Sequence, residues 1–216
     1  MADNGEKTDM ELSLTQFITL DGVYQAPGGP DEDPSGGFVH GGWTAPYLVE
    51  DDFGYMVSVF ERADAFLFGR RTYDIFSSYW PKIGVDGDGA EGVIAKAFNS
   101  LPKYVASRTL GRADWEGTEV PGGDAVAAVS ALKAEPGREL QMHGSGGLAQ
   151  TILAAGLIDV LNLLTFPVIL GTGRRLFPTE ALPTGFELTD SRTTSAGVVI
   201  GTYRSKGAPQ YGLISE

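Results

Sequence analysis

Strand-like runs hand over three times to short polar or glycine-bearing junctions, and this pattern limits the fold more than any other feature of the chain. Ala65-Phe66-Leu67-Phe68 leads through Gly69-Arg70-Arg71-Thr72-Tyr73 into a segment with helical character. Tyr104-Val105-Ala106 leads into Ser107-Arg108-Thr109, and Glu139–His143 into Gly144-Ser145-Gly146-Gly147-Leu148. A strand that turns through glycine into a helix exposes the free amides of the first helical turn, glycine lets an anion approach the backbone, and arginine grips phosphate oxygens in a fork. A plainer reading of each junction is a tight turn with solvated arginines.

The surrounding elements fit an α/β sheet. Leu12–Leu20 reads as a strand stopped by Asp21-Gly22, and residues 23–42 form a long Gly-, Pro- and Asp-rich loop flanked by Tyr24, Phe38, Trp43 and Tyr47, expected to act as a lid. Helices are expected over 46–63, 70–79, 124–134 and 144–155, alternating with strands at 65–68, 104–106 and 139–143. Such alternation predicts a mostly parallel sheet with crossover helices. The runs 160–166, 168–170, 186–192 and 197–204 predict an antiparallel finish. One domain over 11–205 is expected, between a flexible leader, 1–10, and a tail, 206–216.

Charge and composition exclude several functions. Sixteen basic against twenty-eight acidic residues give a formal charge of −12, the wrong sign for a nucleic-acid or anionic-membrane binder, so a small-molecule substrate is expected. Two histidines and no cysteine leave no basis for a His/Cys metal centre or a thiol nucleophile, and no metal is expected. The opening residues lack the basic-then-apolar layout of a signal peptide, which points to a cytoplasmic protein.

In an open α/β sheet, ligands bind at the carboxyl ends of the strands, where all three junctions fall. A dinucleotide needs bare amides for its pyrophosphate, a basic hydroxylated loop for its ribose and apolar walls for its rings. Arg108 between Ser107 and Thr109 suits a 2′-phosphate, so NADPH fits better than NADH.

These three junctions, with Phe166-Pro167-Val168-Ile169-Leu170-Gly171 and Gly197–Tyr203, come in an order that resembles the dihydrofolate reductase-like superfamily, in the branch related to the reductase domain of bacterial riboflavin biosynthesis. The resemblance spans about Leu12 to Arg204 and implies a three-layer sandwich, NADPH as cofactor, a homodimer, and hydride transfer to a C=N or carbonyl-type bond of a small heterocyclic substrate. By the same resemblance Gly69, Arg70, Arg71 and Thr72 hold cofactor phosphates, Ser107, Arg108 and Thr109 meet the ribose phosphate, and Gly144, Ser145, Gly146, Gly147 and Leu148 carry the pyrophosphate. Phe166, Val168, Gly171, Gly173 and Arg174 line the remaining edge. Asp21, Trp43 and Asp52 are the candidate catalytic residues, and Tyr24, Tyr47 and Trp80 the candidate substrate contacts. The carboxylates at Glu50, Asp51 and Asp52 are displaced from the place of the superfamily's folate-binding acid, which counts against folate as substrate. A ligand-binding protein without reductase chemistry, or a flavin- or deazaflavin-using variant, stays open as an alternative.

Overall fold

In the strand β2 (Ala63–Gly69), Ala65 and Leu67 pack into one apolar cluster while Phe66 and Phe68 pack into another, so the strand is buried on both faces. A strand covered on both sides reads as a continuous apolar run, as this one does, and belongs in a parallel sheet between helical layers. The computed structural model describes residues 9–84, 89–178 and 181–214, without the side chains of Asp51 and Asp52.

The other elements are β1 (Glu11–Thr19), α1 (Glu50–Phe60), α2 (Arg70–Tyr79), α3 (Ala90–Ser100), β3 (Lys103–Ala106), β4 (Thr118–Glu119), α4 (Ala125–Lys133), β5 (Glu139–His143), α5 (Gly146–Ala154), β6 (Val160–Phe166), β7 (Gly185–Thr193) and β8 (Val199–Gly207). The strands form a single eight-stranded sheet in the order β4-β3-β2-β5-β1-β6-β8-β7. From β4 to β6 every pairing is parallel, and β8 and β7 add antiparallel strands at the far edge. β1 lies between β5 and β6, with Leu14 opposite Met142 on one side and Leu161 on the other.

One face carries Leu12, Leu14, Leu67, Leu140 and Met142 under Val129 of α4 and Ala149 and Ile152 of α5. The opposite face carries Phe66, Phe68 and Val105 under Phe60, Tyr73 and Phe98 from α1, α2 and α3. Beside that second cluster, Tyr55 and Val59 of α1 pack with Phe166, Trp43 and Phe38. The mean strand-plus-helix frame is therefore a helix–sheet–helix sandwich.

Five local features depart from the expectations or add to them. The helix expected over 46–63 is a 3-10 turn at Ala45–Tyr47 followed by α1, because Leu48 adopts an extended conformation between them. α3 and β4 were not anticipated. Residues 168–170 are irregular rather than a strand, following a tight turn at 166–168 in which the Val168 amide bonds to the Phe166 carbonyl. The loop at 23–42 is docked: the Gln25 amide donates to the carbonyls of Asp33 and Ser35, and Trp43 Nε1 donates to the Gln25 carbonyl. In the expected leader, Met10 is buried and its amide bonds to the carbonyl of Lys133.

Candidate active site

The ends of β2 and β5 deliver two helix starts to the same place. Gly69 caps α2 and Ser145 caps α5, and the two caps are tied reciprocally: the Gly69 amide donates to Ser145 Oγ at 2.9 Å, and the Ser145 amide to Thr72 Oγ1 at 3.0 Å. Ser145 has φ +56° and Gly144 φ +65°, the left-handed turn that swings α5 back over the sheet. Its side chain is thus committed across the junction, while the amides of Gly146, Gly147 and Leu148 have no acceptor among the described residues. Gly147 faces open space, whereas Gly146 lies directly against the Tyr24 ring.

These starts open onto a cavity of about 910 Å³ bounded by β1, β2, β5, α1, α2, α3 and the docked loop. One part of the lining is polar, with Arg70, Arg71, Arg174, Glu32 and Asp33; another is apolar and aromatic, with Met56, Phe60, Phe76, Trp80 and Phe98, and the exposed Phe53 at its rim. The volume sits in the range of sites that enclose an organic cofactor or substrate.

The three arginines of the polar part are engaged by carboxylates. Arg70 pairs with Asp74 at 2.8 Å, one helical turn on, and Arg71 and Arg174 both pair with Asp33 of the loop. Ser35 Oγ also donates to Asp33, so one buried carboxylate fastens the loop to α2 and to the segment after β6. Glu32 has its carboxyl raised above the usual range by burial, with the amides of Gly28 and Gly29 opposing the rise.

Beside the aromatic part, a line of polar side chains crosses the sheet beneath α1. Arg62 Nε donates to Glu139 Oε1 at 2.6 Å, Gln141 Nε2 donates to Glu139 Oε2 at 2.8 Å and to the Val59 carbonyl at 2.7 Å, and Gln141 Oε1 meets His143 Nε2 at 3.1 Å. The His143 ring stacks on Phe60 with centroids 4.4 Å apart. Burial pushes its pKa down to about 3.

Of the residues singled out in the sequence, Gly69, Arg70, Arg71, Thr72, Gly144, Ser145, Gly146, Gly147, Leu148, Arg174, Tyr24 and Trp80 all line this cavity. Ser107, Arg108 and Thr109 lie outside its lining, in a turn where Ser107 Oγ accepts from the amides of Thr109 and Leu110, beside β2 through the Gly69–Ala106 pairing. Arg108 has no ion-pair partner among the described residues.

Trp43, Tyr47 and Phe166 pack together, with Val168 against them, and brace the loop rather than line the cavity. Gly173 is pressed against Phe38 and Val23, and Gly171 donates its amide to Asp21. Asp21 sits in a ring of partners: burial opposes its charge, but bonds from Thr19 and the amides of Leu170 and Gly171 hold its pKa down to about 2. It also pairs with Arg175, so it clasps the turn after β6. The Asp52 side chain lies outside the described residues. Gln16, Glu32, Asp33 and His143 line the cavity without having been singled out. The position of His143 at the end of a strand, directly before Gly144, is the one local signal that marks any of them.

A parallel α/β sandwich with two helix starts converging on one large cavity at the carboxyl ends of its strands is an arrangement suited to enclosing an organic cofactor or substrate. The chain belongs to the RibD C-terminal domain family, which it matches over residues 11–200. That membership supports a reductase-type role and accords with the motif order seen in the sequence. The chain is 31% identical over 96% of its length to the full length of the uncharacterized protein YyaP of Bacillus subtilis. Its fold is similar to that of a putative riboflavin biosynthesis protein from Shewanella sp. PV-4 (TM-score 0.63, 23% identity, 91% of this chain and 99% of that one). It is also similar to that of a pyrimidine reductase-like protein from Corynebacterium diphtheriae (TM-score 0.58, 15% identity, 90% and 91%). Among the described residues, no helix is long and apolar enough to cross a membrane.

Proposed function

We propose that this protein is a cytoplasmic, homodimeric, NADPH-dependent reductase that acts on a C=N or carbonyl-type bond of a small heterocyclic substrate. The observation that carries the reading is the reciprocal bond pair between Gly69, Ser145 and Thr72, which brings two helix starts to one cavity. Open backbone at Gly147, with unpaired amides on either side of it, fits a pyrophosphate, and the unpaired Arg108 fits a ribose phosphate. When bound, NADPH supplies the hydride. The chain's own work is to hold and orient: Gly146, Gly147 and Leu148 fix the pyrophosphate, and Phe60, Phe76 and Trp80 hold a flat ring and exclude water.

The engagement of both Arg71 and Arg174 by Asp33 favours one second reading, a protein that keeps the cavity for ligand binding without nucleotide-dependent reduction. Calorimetric titration with NADPH and NADH separates the two. Tight NADPH binding that Arg108→Ala weakens, with NADH indifferent to the substitution, supports the reductase. Binding of neither dinucleotide refutes it.

A further inference from the structure

α4 and α5 cover only part of their side of the sheet. Val129, Ala149 and Ile152 lie over β1, β2 and β5, but beyond α5 the sheet continues through β6 and β8 to β7, which is exposed along most of its length. A second cavity, of about 350 Å³, opens on this stretch. Its wall is apolar, with Leu153 of α5, Leu161 of β6, Tyr203 of β8, Phe186 of β7, and Phe177 and Leu182 of the segment between β6 and β7. The register carries the apolar surface outward. Tyr203 lies opposite Leu161 on one side and Leu188 on the other, so the three side chains share this face, and Leu188 is half exposed. Phe177 and Leu182 are also about half exposed.

The same corner of the molecule releases an apolar segment. After β8 the chain passes Gly185, where a Cβ would lie 3.4 Å from Pro209 Cα, and the two neighbours of Gly185, Thr184 and Phe186, both line the cavity. Residues 209–214 then run without secondary structure and hold Tyr211, Leu213 and Ile214 at 85%, 99% and 100% exposure. The segment starts at the rim of an apolar cavity, yet within a single chain its apolar side chains are left in water. At about 200 Å² for a fully exposed large apolar residue, the exposed fractions of Phe177, Leu182, Leu188, Tyr211, Leu213 and Ile214 amount to roughly 850 Å², against about 800 Å² buried by each partner of a standard stable interface. A second copy supplies a segment for the cavity and a cavity for the segment, and a two-fold axis makes the contact twice.

We infer that the segment 208–214 and the cavity beside β7 form an exchanged homodimer interface, in which the segment of each copy docks Tyr211, Leu213 and Ile214 against the cavity of the other. This rests on the homodimer of the reading above, and it names the surface which that dimer uses. The cavity shares no lining residue with the larger one at the starts of α2 and α5, so the interface can be disrupted without touching the candidate active site.

Light scattering of the intact protein over a range of concentrations reads the assembly, and wild type is expected to be a dimer. The double variant Leu213→Asp, Ile214→Asp changes side chains that stand in water in the single chain, so it leaves the fold intact and should weaken dimerisation by about ten-fold or more. Leu182→Arg, which sets a charge on the half-exposed edge of the cavity, should do the same. Mixing the two variants tests the exchange itself. The first keeps a sound cavity and the second a sound segment, so one of the two contacts re-forms and mixed dimers appear at concentrations where neither variant dimerises alone. A monomeric wild type refutes the homodimer of the proposed function and the exchange with it. A dimer that either variant leaves unweakened overturns the exchange alone. Weakened variants that mixing does not rescue overturn it as well, in favour of each segment covering its own cavity.

Discussion

Acid should destabilise this protein through His143 before its carboxylates are protonated. The folded state holds His143 neutral, with a pKa of about 3 against 6.5 for an ordinary histidine, because burial disfavours the imidazolium. Between those values the unfolded chain binds a proton that the folded chain does not, so unfolding becomes more favourable as the pH falls. One proton of difference is worth about 1.4 kcal/mol per pH unit, which integrates to roughly 2.6 kcal/mol between pH 7.5 and 4.5. That is a large share of the ~5–15 kcal/mol that usually separates folded from unfolded domains. Urea unfolding at half-unit pH steps reads the loss directly. Glu32, raised above the usual range, works in the opposite direction near the lower limit, so the informative quantity is the difference between wild type and His143→Phe. The variant's curve is expected to be nearly flat over this interval. A wild-type profile that is itself flat, or a slope that survives the substitution, refutes the argument from burial.

Three further outcomes are expected. Gly146→Ala places a Cβ 2.2 Å from the Tyr24 ring and should destabilise by about 1–3 kcal/mol, whereas Gly147→Ala meets open space and should stabilise α5 by up to about 1 kcal/mol while weakening NADPH binding; thermal melts and NADPH titration check both. Lys103, fully buried with its ammonium on the Phe98 and Leu101 carbonyls, has its pKa lowered by burial to about 8, with Glu116 opposing the shift. The unfolded chain keeps that proton up to about 10.5, so stability should rise from pH 8 to 9.5, and Lys103→Met should remove the rise in urea titrations. Asp33→Asn frees Arg71 and Arg174, so NADPH should bind more tightly at low salt, with the gain erased in 0.5 M NaCl.

The fold was legible where burial is continuous. A strand such as β2, covered on both faces, writes an uninterrupted apolar run into the chain, and the glycine at its end marks where the helix begins. α3 was harder to see because Gly89 and Gly92 frame its first turn and no side chain caps it; only Ile94, Ala95 and Phe98 mark its buried face. β4, two residues long, has no pattern to read. In the candidate site, the parts made of consecutive residues at strand ends were visible. The parts assembled across the sheet were not. Nothing local tells Gln141 that its amide will be spent on Val59 and Glu139, or Asp33 that it will meet two arginines from α2 and the segment after β6. Trp43 and Asp21 drew attention for their chemistry and serve to brace the loop and clasp a turn.

The place of β1 at the centre of the sheet has a consequence for biosynthesis. Both of its neighbours come from much later in the chain, β5 at Glu139–His143 and β6 at Val160–Phe166. On the ribosome, Leu12, Leu14 and Ile18 have no neighbouring strand to pair with until about 125 more residues have been made, roughly 6–25 s at ordinary elongation rates. Throughout that interval the segment that ends as the most protected in the molecule is an unpaired apolar strand. Slowing translation between β1 and β5 therefore exposes the nascent chain to aggregation, and trigger-type chaperones that shield N-terminal segments should raise the yield of folded protein more than those that act after release.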